Sequence, residues 1–233
     1  MRKRMPNRHA IRPLAILFVI FISITPGAAF RAWGEAGAEV SAQPSGMVPD
    51  LVDLKEVNPH ILVEMKYATE DNFTMKRLYD SNTCFLNKST AFKLNAVQKE
   101  LEGMNLRLKV WDCYRPLAVQ RTLWAILPDE RYVANPEKGS RHNRASAVDL
   151  TLVDSKGKEL PMPTGFDDFS PRAHHPYQNL PDQVIKNREL LKGLMEKAGF
   201  ISLSEEWWHY DDERWMQFAI RDVPFQDLLA HEN

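Results

Sequence analysis

Imidazole and carboxylate side chains in one loop-to-strand segment are the first chemistry this chain offers. Ser140-Arg-His-Asn-Arg-Ala-Ser-Ala-Val-Asp149 runs straight into Leu-Thr-Leu-Val153. His142 therefore lies in a polar loop, and Asp149 stands at the mouth of an alternating strand. An imidazole nitrogen with a carboxylate oxygen suits a divalent transition metal, Zn2+ above all. Two ligands do not make a site, and Glu206-Trp-Trp-His209 supplies the third in His209. Glu206 stands beside it and need not touch the ion. Three protein ligands leave the fourth tetrahedral position open for water, the mark of a catalytic zinc rather than a structural one. Singly, each residue has a plainer reading: a capping histidine, a strand-end acid, an aromatic packed among tryptophans. Together they make a ligand set. Glu206 and His209 are three apart, a spacing that on an ideal strand sends side chains to opposite faces. Both can address one ion only if the Trp207-Trp208 stretch bulges or turns.

The elements that must carry these residues read as α+β: a small, mostly antiparallel sheet with helices packed against it. His60 to Tyr67 alternates as a strand. Phe92, Ala96, Val97 and Leu101 sit at helical spacing, with Ser89 or Thr90 as a cap and Gly103 as the stop. Leu106 to Asp112 has period two, with Leu106, Leu108, Val110 and Asp112 on one face. Tyr114-Arg-Pro116 breaks that strand, and a helix from Leu117 to Leu127 follows. Val148 to Val153 is the next strand, and Gly157 marks a turn. Residues 160–181 are rich in proline and wrap the surface. A helix from Asp182 or Gln183 to Ala198 and a strand from Ile201 complete the order. Arg115 sits between tyrosine and proline at a strand terminus, in a chain whose chemistry calls for an anion stabiliser. His174-His175 reads as loop structure or as a residue pair behind the ligands, since the ligand set is already filled. Trp207 and Trp208 read as core, with one of them free to wall a pocket.

Composition bounds the rest. Residues 1–12 carry Arg2, Lys3, Arg4, Arg8 and Arg12 and no acid, Leu14 to Ile24 is almost wholly apolar, and Gly27-Ala-Ala29 is small. That order describes a secretory signal over residues 1–29, predicting export into a periplasm. The apolar run is short for a membrane span of about 20 residues, so no stable membrane association is expected after cleavage. Residues 30–49 read as a flexible lead and residues 50–233 as one catalytic domain. Removing the signal leaves 25 basic residues against 31 acidic ones, a charge of about −6. Such a surface has no basic footprint for nucleic acid. The two cysteines, Cys84 and Cys113, form a candidate disulfide in an exported protein; two separate buried thiols are the alternative.

Ser140-x-His142, Asp149, Glu206-Trp-Trp-His209 and Trp111-Asp-Cys-Tyr-Arg-Pro116 together resemble the D-alanyl-D-alanine dipeptidases of the vancomycin-resistance type. These are zinc peptidases related to D,D-carboxypeptidases and to the Hedgehog amino domain. The resemblance runs from about Lys66 to Tyr210. It includes Lys66-Tyr-Ala-Thr69, Asp71-Asn-Phe-Thr74, Phe166-Asp167 and His174-His175. It implies one Zn2+ on His142, Asp149 and His209, with Glu206 as general base and Arg115 stabilising the oxyanion. It further implies Asp167 and Tyr67 at the ammonium end of a small dipeptide and Ser140 at its carboxylate. A zinc D,D- or L,D-carboxypeptidase acting on peptidoglycan stems is the nearest rival, and a non-catalytic module with structural zinc the rival of another class. The family usually has glycine where this chain has Ala145. If that position needs positive φ, alanine is strained there by about 1 kcal/mol.

Overall fold

A computed structural model describes residues 51–230; the expected signal over 1–29 and lead over 30–49 lie outside the described residues. A five-stranded sheet forms the centre, in the order β2 (Leu62–Val63), β4 (Leu106–Asp112), β5 (Ala147–Asp154), β7 (Glu206–Asp212), β6 (Phe200–Leu203). β2 runs parallel to β4, and every other pairing is antiparallel. β1 (Leu51–Asp53) and β3 (Phe85–Asn87) form a separate two-stranded ribbon. This is the α+β architecture expected, with a mostly antiparallel sheet.

β5 explains the layering. Ala147 to Val153 are all buried, so this central strand is covered on both faces. One face meets α2 (Lys88–Glu102), which packs on β4, and α4 (Asp182–Lys197), which packs on β6 and touches α2. α2 buries Ala91, Leu94, Val97 and Leu101 together with Thr90 and Gln98. The expected face was rotated: Phe92 is 52% exposed. The cause is two polar residues that the periodicity passed over. Gln98 Oε1 accepts from the Leu108 amide at 2.9 Å, and Thr90 donates to Asp212 at 2.8 Å, so both can be buried without loss. α3 (Leu117–Ile126) begins directly after Pro116, which cannot continue the ladder.

Two expectations change. The strand read from His60 to Tyr67 shrinks to Leu62–Val63, and Lys66–Ala68 form a 3-10 turn whose Tyr67 is buried. The single strand read from Ile201 is a hairpin, β6 and β7, turned at Ser204-Glu205. Cys84 and Cys113 are joined as a disulfide with Cα atoms 5.5 Å apart, tying the start of β3 to the residue after β4.

Asp212 closes β7. Its carboxylate, fully buried, accepts from Thr90 at 2.8 Å, Lys93 at 2.9 Å and the Arg214 amide at 2.9 Å. Removing a buried, paired charge strands its partners. Asp212→Ala is expected to cost about 3–5 kcal/mol, read as a lower midpoint in urea unfolding. His175 gives a pH dependence. It is buried, neither ring nitrogen has a hydrogen-bond partner among the described residues, and burial with the nearby Lys192 and Arg188 pushes its pKa down to about 4. The unfolded chain, with the ordinary value of 6.5, then binds the extra proton more readily. Stability from this group is complete above pH 6.5 and falls as the pH drops toward 4, by on the order of 3 kcal/mol. His175→Gln should narrow the Tm difference between pH 7 and pH 4.5 relative to the parent chain.

Candidate metal centre

Strand register brings the first residues together. Asp112 on β4 pairs with Asp149 on β5, and Asp149 pairs with His209 on β7, so the three form one row across the sheet. Cross-strand neighbours carry Cβ atoms about 5 Å apart on one face. His142 enters from outside the sheet, on a 3-10 turn (His142–Arg144) that leads into β5. Donor atoms of His142, Asp149 and His209 all lie within 4.8 Å of one another, and all three residues are buried.

Whether this cluster fits a metal is decided by where the imidazole protons sit. His142 Nδ1 donates to the Cys113 carbonyl at 2.7 Å, and His209 Nε2 donates to Asp211 at 3.0 Å. Neither acceptor has a proton to give, so in the neutral rings the lone pairs fall on His142 Nε2 and His209 Nδ1. Those two nitrogens face each other at 3.3 Å, with Asp149 Oδ2 3.4 Å from the first and Oδ1 2.9 Å from the second. Donors at about 2.0–2.2 Å from one tetrahedral ion lie roughly 3.3–3.5 Å apart. Two of the separations match, and the shorter one is to the second Asp149 oxygen, so the donor set suits a divalent transition-metal ion. Burial raises the cost of charge on Asp149, but His142 and His209 outweigh it and hold the carboxyl well below the usual range.

Glu206 is brought alongside by the irregularity its spacing demanded. On β6, Ser202 pairs with Tyr210 and the next residue, Leu203, with Glu206, so Trp207 to His209 have no counterparts there. This bulge turns Glu206 to the same side as His209, and its carboxylate lies 3.9 Å from His209 Nδ1. The two tryptophans fill the core beneath: Trp207 is fully buried, bonds Thr164 at 2.9 Å, and meets Trp208 edge to face. Burial pushes the Glu206 carboxyl up to about 8, opposed by His209 and Arg115 and reinforced by Asp149 and Asp167.

Arg115 is fixed before any ligand arrives. Its Nε and Nη2 donate to Asp112 Oδ2 at 3.1 and 2.5 Å, its Nη1 donates to Gln120 at 2.8 Å, and its guanidinium lies 5.2 Å from the Tyr67 ring centre. Tyr67 in turn donates to Asp167 at 3.3 Å, whose other oxygen accepts from the Phe73 amide at 3.2 Å. Asp167 has φ +59, a conformation that Asp tolerates better than most residues. Burial raises its carboxyl to about 7, with Asp149 adding to the effect. Ser140 is buried in the metal loop, its hydroxyl accepting from the His142 amide at 3.2 Å. A cavity of about 480 Å³, walled by Phe73, Trp111 and Phe166, shares Asp167 with this cluster but none of the three metal-site residues. His174 and His175 stand apart from the ligand group, and His175 packs against Tyr210.

A family model described as D-Ala-D-Ala dipeptidase, peptidase family M15, matches residues 47–223. The chain belongs to this family. It is 40% identical over 164 residues to a D-alanyl-D-alanine dipeptidase of Escherichia coli K12, covering 70% of this chain and 84% of that protein. It is 35% identical over 185 residues to one of Enterococcus faecalis V583, covering 70% and 88%. A third, from Streptomyces coelicolor, is 32% identical over 185 residues and covered to 92%. Membership makes the chain a peptidase.

Three site residues escaped the sequence reading: Asp112, Asp211 and Gln120. Each orients another side chain, and nothing in local spacing marks such a residue. The one available signal was period two, which put Asp112 on the buried face of its strand. Ala145 does take the left-handed conformation, at φ 51 and ψ 36, so the alanine carries the cost that glycine would avoid. Its carbonyl accepts from both the amide and the side chain of Asn87, at 3.0 and 2.9 Å, which holds it there. Partners that orient a ligating histidine are worth about 10–100-fold in metal affinity. If the cluster holds a divalent metal, Asp211→Asn should weaken its binding by about that factor, measured by competition with a chromophoric chelator.

Proposed function

We propose that this chain is an exported zinc dipeptidase that hydrolyses D-Ala-D-Ala to free D-alanine. The observation that carries the reading is the inward-facing set of His142, Asp149 and His209 with the Glu206 carboxylate 3.9 Å from one of them, in a chain similar over most of its length to proteins named D-alanyl-D-alanine dipeptidase. Zinc held there would acidify a water and polarise the scissile carbonyl. Glu206 takes the proton of the attacking water and passes it to the leaving amine. Arg115, held by Asp112 and Gln120, presents a fixed charge to the developing oxyanion. Asp167 and Tyr67 hold the substrate's ammonium and Ser140 its carboxylate. Contacts to both charged ends of the substrate measure the length of a free dipeptide and turn away polymers.

Export is supported by residues 1–29 and by the disulfide, a bond that persists in oxidising compartments. Outside the cytoplasm, the activity suits recovery of D-alanine from cell-wall turnover.

The test compares alanine release from D-Ala-D-Ala and from a pentapeptide stem, before and after zinc is chelated and restored. Release from the dipeptide that vanishes on chelation and returns with zinc is expected; preference for the stem would make the chain a carboxypeptidase instead. Glu206→Gln should leave zinc bound and lower kcat by about 10²–10⁴-fold. Unchanged turnover would remove Glu206 from its role.

A further inference from the structure

We infer that the Cys84–Cys113 disulfide is a positioning element of the metal centre. This rests on the reading of His142, Asp149 and His209 as metal ligands. The Cys113 carbonyl is the acceptor that orients the His142 ring, at 2.7 Å. Yet Cys113 lies one residue beyond the last β4–β5 pair, Asp112 with Asp149, so the sheet does not fix its peptide. Its amide bonds only the neighbouring Asp112 carboxylate, at 2.9 Å. The peptide that carries this carbonyl is held instead from β3, where the Tyr114 amide donates to the Phe85 carbonyl at 3.1 Å, and the covalent link at the adjacent Cys84 ties the same two segments together.

The other end of that link matters equally. β3 is no part of the central sheet, and it follows Cys84 directly. From β3, Asn87 holds the far side of the metal loop through its backbone and side-chain bonds to Ala145 and Arg144. From the Cys113 side, the Arg115 amide donates to the His142 carbonyl at 3.1 Å, and the Asn143 side chain donates to the Arg115 carbonyl at 2.8 Å. Two segments thus grip the loop from its two ends, and the disulfide joins them. Both sulfurs are fully buried.

A crosslink that only stabilised the fold would leave metal affinity in the folded protein alone. The experiment therefore compares zinc dissociation constants, by chelator competition at 25 °C, for the parent chain, Cys84→Ala/Cys113→Ala, and Leu101→Ala. The last is a core variant that lowers stability without touching the loop. The disulfide variant is expected to bind zinc about 10–100-fold more weakly, and Leu101→Ala within threefold of the parent. Equal affinity in the parent and the disulfide variant overturns the inference. A parent chain that binds no zinc overturns instead the metal reading beneath it. If the double variant does not fold, the zinc-loaded parent is reduced with a phosphine, which is removed by desalting at each time point. Zinc lost before the near-UV circular dichroism collapses supports the positioning role; simultaneous loss overturns it.

Discussion

Two outward hydrogen bonds govern this site. An imidazole has two nitrogens, and only the one without a proton can bind a cation. His142 gives its Nδ1 proton to a peptide carbonyl and His209 gives its Nε2 proton to Asp211, so that in the neutral rings the lone pairs fall on the opposite nitrogens, 3.3 Å apart. Without those acceptors either ring can flip or change tautomer, and the cluster becomes three buried polar groups with no purpose. The geometry of the pocket follows from what holds the acceptors in place.

The sheet provides most of that. Adjacent register sets Asp112, Asp149 and His209 in one row, and the bulge in β7 adds Glu206 without disturbing the pairing between Asp149 and His209. Placing so many carboxylates together is costly in a low dielectric. The cost is met locally: Arg115 answers Asp112, His142 and His209 answer Asp149, and Tyr67 with the Phe73 amide answers Asp167. Asp167 and Glu206, the two with the weakest compensation, are the two pushed toward neutrality.

Legibility in the sequence divides along the same line. β4 and the helix over 182–197 follow from period and punctuation, because burial on one face writes itself into the pattern, whereas the strand at 147–154, covered on both faces, follows from its apolar and β-branched run between polar segments. The ligands and Glu206 were readable as a constellation, and even the bulge was implied, since a spacing of three cannot serve one ion from a regular strand. The helix face at Phe92 misled because Thr90 and Gln98 are buried through hydrogen bonds that only the fold creates. Asp211 and Gln120 lie only two and five residues from the side chains they orient, yet a polar residue at such a spacing carries no mark of the bond it makes. The hairpin turn at Ser204-Glu205 lacks glycine or proline to announce it.

The reciprocal backbone ties between Arg115 and the His142 loop carry one more implication. With the Arg115 amide on the His142 carbonyl and the Asn143 side chain on the Arg115 carbonyl, guanidinium and imidazole ride on a shared mount. Displacing either segment strains both hydrogen bonds, so the backbone positions of Arg115 and His142 are set jointly rather than one by one. Tolerances that a pair of independent loops would have to meet separately are reduced here to the stiffness of a single joint.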